Sequence, residues 1–264
     1  MNAKSASMRD TLKQQKTRHW DNKSLKDIAS EIAAEHALKV AVSEDIGTYQ
    51  YDWLGQQGES DLNFCQRIAS RHGAVFSIKN GTLILSKRGT GYSASGKALP
   101  IAVLTPNDIQ PGTCDIEFSD REKVKRVRAR HYDKKKAQLV NVEADSASSG
   151  TAVHTLPHTF ADGPEAKAAA TAKASALYME TTKARLAITG NPAIRAGIPF
   201  IFSGVRIGID DMPFIVDSAV HSFSKFGYAT AIEAHMAGSE NQITVEKQSQ
   251  RKGKKVVKLI NVEK

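Results

Sequence analysis

The sequence has little of what marks a secreted, metal-binding or membrane protein. Its 264 residues include only two cysteines, Cys65 and Cys114, too few for a disulfide framework or a zinc site. No apolar run approaches the ~18 residues of a membrane-spanning helix. The first twenty residues are basic and polar, without the apolar core of a secretory signal. We therefore predict a folded chain made in a reducing compartment, with no membrane span and no signal for export.

The sequence also lacks the motifs of the common enzyme classes. Residues 91–98, GYSASGKA, follow the spacing of a phosphate-binding loop until Ala98, which replaces the hydroxyl residue that holds Mg²⁺. Pro100 and a strand-like run follow where that loop requires a helix. No nucleophile elbow, Cys–His nucleophile pattern or dinucleotide fingerprint is present. We predict a protein that is not an enzyme, with no cofactor, no metal and no small-molecule substrate.

Composition indicates an ordinary globular chain with unevenly distributed charge. Hydrophobic residues make up 41% of the chain and charged residues 25%, and the net charge is +9. Three blocks carry the excess: residues 1–26 (+5), 121–136 (+7) and 246–264 (+5), which leaves −8 on the rest. Such blocks suit nucleic-acid binding, assembly with an oppositely charged protein, or simply a solvated surface.

The strongest charge pattern lies in the middle block. Arg126, Arg128 and Arg130 alternate with smaller residues, and this spacing places all three guanidinium groups on one face of a strand. Because arginine pairs well with carboxylates and few aromatic residues are near to stack on bases, an acidic protein surface is the favoured target.

The first 90 residues contain two similar helix–strand units. Ser24 opens a pattern that resembles a capping box, and apolar residues then recur at helical spacing to His36. A second helix begins near Ser60 and ends before Gly73. His36 and His72 occupy equivalent positions 36 residues apart, so we predict an internal duplication.

The predicted fold class is α+β: a small duplicated helix–strand domain followed by an antiparallel β-barrel that carries one inserted helix. Strand candidates dominate the second half, and Asp162-Gly-Pro opens the helix, expected at about residues 164–187. The predicted segments are an upstream remnant or tail at 1–19, the small domain at 20–87, a linker at 88–99, the barrel at 100–238 and a basic tail at 239–264.

One segment resembles a known family. Residues 57–73, QGESDLNFCQRIASRHG, fit the pattern Q-x-E-S-D-x-x-F-x-x-R-L-A-x-x-x-G of the phage late control gene D proteins and the related VgrG hub proteins. The residues that carry the match are Gln57, Gly58, Glu59, Ser60, Asp61, Phe64, Arg67 and Gly73. Residues 20–42 and 197–236 are similar to the family's preceding unit and closing barrel strands. We expect Glu59 to Asp61 to cap the helix, which gives the motif a structural meaning.

The resemblance implies the baseplate hub of a contractile phage tail, a prophage particle or a phage-like bacteriocin. Such hubs form trimers in which two tube-like barrels per chain build a pseudo-hexameric ring between the tail tube and the spike. The implied partners are further copies of the chain, the spike, the tail tube, other baseplate proteins and the tape measure protein. The implied location is the virion baseplate, with assembly in the host cytoplasm. Only about twenty residues precede Trp20, so we expect most of the family's preceding barrel to be absent.

On the hub interpretation, Arg126, Arg128 and Arg130 are expected to dock on acidic partner surfaces during assembly. Two other functions stay open. The helix–strand units loosely resemble LysM-type modules, which suggests peptidoglycan binding, and the basic blocks leave nucleic-acid binding as a third possibility.

Overall fold

The computed structural model describes residues 10–133, 135–225 and 227–238, together with two short C-terminal strands. Residues 1–9 of the predicted N-terminal remnant lie outside this part of the chain. The predicted tail at 239–264 also lies outside it, except for strands Thr244–Glu246 and Lys258–Ile260, which pair antiparallel. None of the helices in the described residues has the length and apolar character that crossing a membrane requires.

The N-terminal unit, residues 10–87, is built from short strands and helices. Its elements are β1 (Gln15–Ser24), α1 (Leu25–Glu35), β2 (Lys39–Val42), α2 (Glu44–Gly47), β3 (Gln50–Ser60), α3 (Asp61–Arg71), β4 (Ala74–Lys79) and β5 (Thr82–Lys87). Strand β1 pairs antiparallel with β3, and a three-stranded sheet has the order β2-β5-β4. Because β1 begins at Gln15, it crosses the boundary predicted at residue 20.

Both predicted helices are present, and each begins at a serine cap. The Ser24 hydroxyl accepts a hydrogen bond from the backbone of Asp27, whose side chain returns one to the Ser24 backbone, which completes a capping box. Ser60 caps α3 in the same position, 36 residues later. His36 and His72 follow the two helices at the same offset. The two units therefore share the order strand, serine cap, helix, histidine at a constant offset, with β1 and β3 as the preceding strands.

The second half contains two sheets and one long helix. Its elements are β6 (Ala102–Leu104), β7 (Asp115–Phe118), β8 (Arg126–Asp133), β9 (Gln138–Asp145), β10 (Val153–Phe160), α4 (Gly163–Met179), β11 (Thr182–Thr189), β12 (Pro199–Phe202), β13 (Pro213–Ser224) and β14 (Gly227–Met236). A curled six-stranded sheet has the order β6-β12-β13-β14-β11-β7, and a smaller β8 sheet has the order β10-β8-β9. The α+β class is confirmed.

Two features of this half differ from the prediction of one antiparallel barrel. Strand β6 pairs parallel with β12, and β10 pairs parallel with β8. The β8 sheet also has its own core, in which buried Val127 and Ala129 face the alanine stripe of α4. Small side chains on both sides let the helix lie close to the sheet. The six-stranded sheet has a separate core in which Phe200, Phe202 and Phe214 pack with ring centroids 5.3–5.5 Å apart.

The prediction that a helix extends to about residue 187 is wrong. Helix α4 begins at the cap residue Asp162, whose side chain accepts a hydrogen bond from the Glu165 backbone, and it ends at Met179. Residues 182–189 form strand β11 between β14 and β7. Every second residue of β11 is buried, which is the two-residue period of a strand.

Candidate functional site

The family-like segment 57–73 spans the end of β3, the whole of α3 and the turn that follows. Gln57 and Gly58 are exposed at the end of β3. Gly58 has a φ of +56°, a conformation that glycine adopts without strain. Its N–H donates to the Thr17 hydroxyl at 3.2 Å on the paired strand β1. These two residues therefore lie where the register of the β1–β3 pair shifts.

Asp61 lies at the centre of the segment, and its side chain is fully buried. Lys16 Nζ donates to Oδ2 at 2.7 Å, and His36 Nε2 lies 2.8 Å from the same oxygen. Arg18 Nη2 and Gln56 Nε2 donate to Oδ1 at 2.7 and 2.9 Å. Lys16 and Arg18 also bind Glu35 at the end of α1. We call this group the Asp61 cluster; its members are Lys16, Arg18, Glu35, His36, Gln56 and Asp61.

The electrostatics of the cluster keep Asp61 ionised. Burial alone would raise the pKa of Asp61, but hydrogen bonds from Lys16, His36 and Gln56 outweigh it and lower the pKa to about 2. Burial also opposes ionisation of Glu35, yet Lys16 and Arg18 hold its pKa below the usual value. The two carboxylates are therefore charged at neutral pH and are neutralised by cations of β1.

The Asp61 cluster does not suit a metal ion. Ligand atoms of Glu35, His36 and Asp61 lie within 4.8 Å of one another. The Lys16 ammonium contacts both carboxylates at 2.7 Å and so occupies the position that a cation would take. We assign the cluster a structural role.

The next motif residues brace α3 against β3. Ser60 caps α3 as expected, whereas Glu59 forms an ion pair with Arg67 at 2.8 Å. Arg67 also donates to the Gly55 carbonyl at 2.9 Å, and its guanidinium lies 5.2 Å from the centre of the Phe64 ring. Phe64 is buried, with its ring in the core of the N-terminal unit.

The end of the segment contacts helix α4. Gly73 has a φ of +64°, and a Cβ built there would lie 3.2 Å from the Ala172 Cβ, so glycine is favoured by conformation and by space. Arg71 Nη1 binds Glu165 Oε1 at 2.6 Å, and Glu165 is only 4% exposed. The motif thus joins the N-terminal unit to the second half of the chain.

Two tyrosines and a histidine complete this junction. Tyr51 Oη lies 2.5 Å from His72 Nε2, and Tyr49 Oη donates to Asp162 Oδ1 at 3.3 Å at the start of α4. Burial lowers the pKa of His72 to about 4, so His72 is neutral at physiological pH. His72 therefore brings no charge to the contact between the N-terminal unit and α4.

The predicted arginine stripe lies on the face of the β8 sheet that points away from α4. Arg126, Arg128 and Arg130 share that face, as the two-residue spacing predicted. Arg126 Nε binds Asp145 at 2.7 Å, and Arg128 Nη2 binds Glu143 at 2.7 Å, both across to β9. Two of the three arginines are thus paired within the chain, which lowers the positive charge available to phosphates.

The rest of this face is more apolar than the sequence suggested. Arg130 lies opposite Asn141, and its Nε is buried without a hydrogen-bond partner in the described part of the chain. Tyr132 and Leu139 lie opposite each other and are 47% and 55% exposed. The face combines exposed apolar surface with charge, which suits a protein partner better than nucleic acid.

Sequence reasoning missed five members of the Asp61 cluster as site residues: Lys16, Arg18, Glu35, His36 and Gln56. Lys16 and Arg18 were counted only as part of a basic block, and His36 only as a helix end. Gln56, one residue before the matched pattern, is buried while Gln57 is exposed. A signal was available, because Lys16 and Arg18 have the two-residue spacing that places side chains on one strand face.

The comparisons with known proteins give one consistent result. The model of the family described as phage tail baseplate hub (GPD) matches residues 6–226. The probable baseplate hub proteins of Escherichia phages 186 and P2 are 24% and 25% identical to this chain; each alignment covers 92% of this chain and 72% of the relative. The crystal structure of the 43 kDa tail protein of prophage MuSo2 from Shewanella oneidensis matches with a TM-score of 0.60 at 16% identity, over 82% of this chain and 66% of that protein.

Replacing the central carboxylate is expected to destabilise the fold. Asp61→Asn leaves Lys16 and Arg18 without their buried partner, so we expect the free energy of unfolding at pH 7 to fall by about 3 kcal/mol. Because the pKa of Asp61 in the folded state lies below its ordinary value of 3.8, its stabilisation is present above about pH 4 and is lost as the pH falls towards 2. Urea denaturation from pH 7 to pH 2 measures both effects.

The matched control is Asp52→Asn, which removes an exposed carboxylate from the same strand β3. We expect it to change the free energy of unfolding by less than about 0.5 kcal/mol. Equal effects of the two substitutions would contradict the role assigned to Asp61.

Proposed function

Because the chain belongs to the phage tail baseplate hub (GPD) family, we propose that three copies of it form a ring that joins the tail tube to the central spike. The observation that carries the proposal is the family match, which runs from β1 to the end of β13. The six-stranded sheet supports it, because its two end strands, β6 and β7, leave edges with which another subunit can pair. The role is structural, and we propose no catalysis.

The two edges of the six-stranded sheet suit assembly. Strands β6 and β7 have three and four residues and each pairs on one side only within the described residues. Outward backbone groups of an edge strand can pair with another chain, and short strands limit uncontrolled growth. The proposed partners are further copies, the spike, the tail tube, neighbouring baseplate proteins and the tape measure protein. The proposed place of assembly is the host cytoplasm.

Light scattering after size-exclusion chromatography tests the ring. We expect the purified chain to elute as a trimer, or to form a complex of three chains with one cognate spike trimer. A chain that stays monomeric both alone and with the spike would contradict the proposal for this chain.

We also propose that the arginine face of the β8 sheet takes part in assembly. Arg130 is the residue to change, because reversing Arg126 or Arg128 would oppose Glu143 and Asp145 with like charges and disturb the sheet itself. We expect Arg130→Glu to weaken association about tenfold, a cost of about 1.4 kcal/mol. Concentration-dependent light scattering measures the change.

Lys135→Glu is the control, because it makes the same change of charge in the exposed turn beyond β8. Thermal unfolding of both variants reports whether the monomer is intact. If Arg130→Glu associates as strongly as the wild type and has the same melting temperature, the arginine face is not part of the assembly surface.

A further inference from the structure

A large cleft separates the N-terminal unit from the second half of the chain. Its volume is 1360 Å³, and β4, α4, β13 and β14 all contribute to its walls. Small-molecule pockets usually measure about 300–1,000 Å³. The cleft is therefore large enough for a segment of another protein chain.

The cleft walls are basic. Seven cationic side chains line it, against the two carboxylates of Asp45 and Asp217. Arg71 is neutralised by Glu165 and Arg88 by Asp217. Among the residues described, four of these cations have no ion-pair partner: Lys79, Lys167, Lys173 and Arg195. Of these, Lys167 Nζ donates to the Glu143 backbone carbonyl at 2.6 Å. This excess charge favours an acidic occupant.

A histidine of the cleft wall also has a buried ring nitrogen that lacks a partner. His235 is 3% exposed, and its Nδ1 lies 2.6 Å from Asp217 Oδ2. Its Nε2 has no hydrogen-bond partner in the described structure. A polar group of an entering segment would satisfy this unpaired nitrogen.

Strand β7, at the far edge of the six-stranded sheet, has the complementary chemistry. Asp115 and Glu117 are exposed, and neither has an ion-pair partner within the described ranges. Phe118, at the end of the strand, is 59% exposed. The outer side of β7 has no paired strand in the described chain, so the backbone N–H groups that point outward, away from β11, are available.

We propose that the acidic edge strand β7 of one copy enters the basic cleft of the next copy. Asp115 and Glu117 meet Lys79, Lys173 and Arg195, and Phe118 packs on exposed apolar surface in the cleft such as Val75. The interface joins two different surfaces of identical chains, and a ring forms when the rotation between neighbours closes. This inference rests on the proposed self-assembly and names the surfaces that perform it.

Photo-crosslinking from Cys114 tests the contact directly, because this cysteine is exposed beside Asp115 whereas Cys65 is buried. The full chain is labelled with benzophenone maleimide, irradiated, digested and analysed by mass spectrometry. We expect crosslinks between copies to residues 74–79, 167–175 or 195–197. Crosslinks that map to other surfaces, or none between copies, would overturn the proposal.

Charge reversal gives a second, independent test of the contact between β7 and the cleft. We expect Lys173→Glu with Arg195→Glu, and separately Asp115→Lys with Glu117→Lys, to weaken association at least about tenfold. The four substitutions together restore opposite charges and are expected to recover most of the association. Lys39→Glu with Lys136→Glu, both exposed elsewhere, is the control for the change in net charge.

The outcomes separate this inference from the proposed ring. A trimer that crosslinks elsewhere, or that the reversals do not weaken, contradicts only the β7–cleft contact. Crosslinks into the cleft in an assembly that is not a trimer support the contact and contradict the ring. A monomer without crosslinks contradicts both.

Discussion

The buried carboxylate of Asp61 joins the two copies of the repeated unit. It begins α3 in the second copy, and its partners Lys16, Arg18 and His36 come from β1 and the end of α1 in the first. Without the first copy, Asp61 would lose three of its four hydrogen-bond partners and keep only Gln56, which opposes folding of the second copy alone. The pairing of β1 with β3 brings these side chains to one place, and the cluster in turn fixes the register of that pair.

The C-terminal end of helix α3 positions the second half of the chain. Helix α3 runs from Asp61 to Arg71, and Arg71 binds Glu165 at the start of α4 while Gly73 lets the turn approach Ala172. Helix α4 then supports the β8 sheet on one side and lines the basic cleft on another. The motif therefore bears on the proposed function, because it sets the relative position of the surfaces proposed to meet other subunits.

Sequence patterns predicted those elements that depend on residues close together in the chain. The serine caps and apolar spacing located α1 and α3, and the two-residue spacing of Arg126, Arg128 and Arg130 placed them on one strand face. Strands β1 and β3 were missed because they are mostly polar and bury few side chains, so their pairing, not their composition, makes them strands. The partners of the arginines depend on the register between β8 and β9, which no local pattern encodes.

The central claim is that Asp61 and the cations of β1 stabilise each other across the repeat. A double-mutant cycle of Asp61→Asn and Arg18→Met, followed by urea denaturation, measures this coupling directly. We predict a coupling free energy of about 1–3 kcal/mol, compared with less than about 0.5 kcal/mol for the exposed pair Lys23 and Glu31 measured in the same way. A coupling at Asp61 no larger than that of the exposed pair would contradict the account.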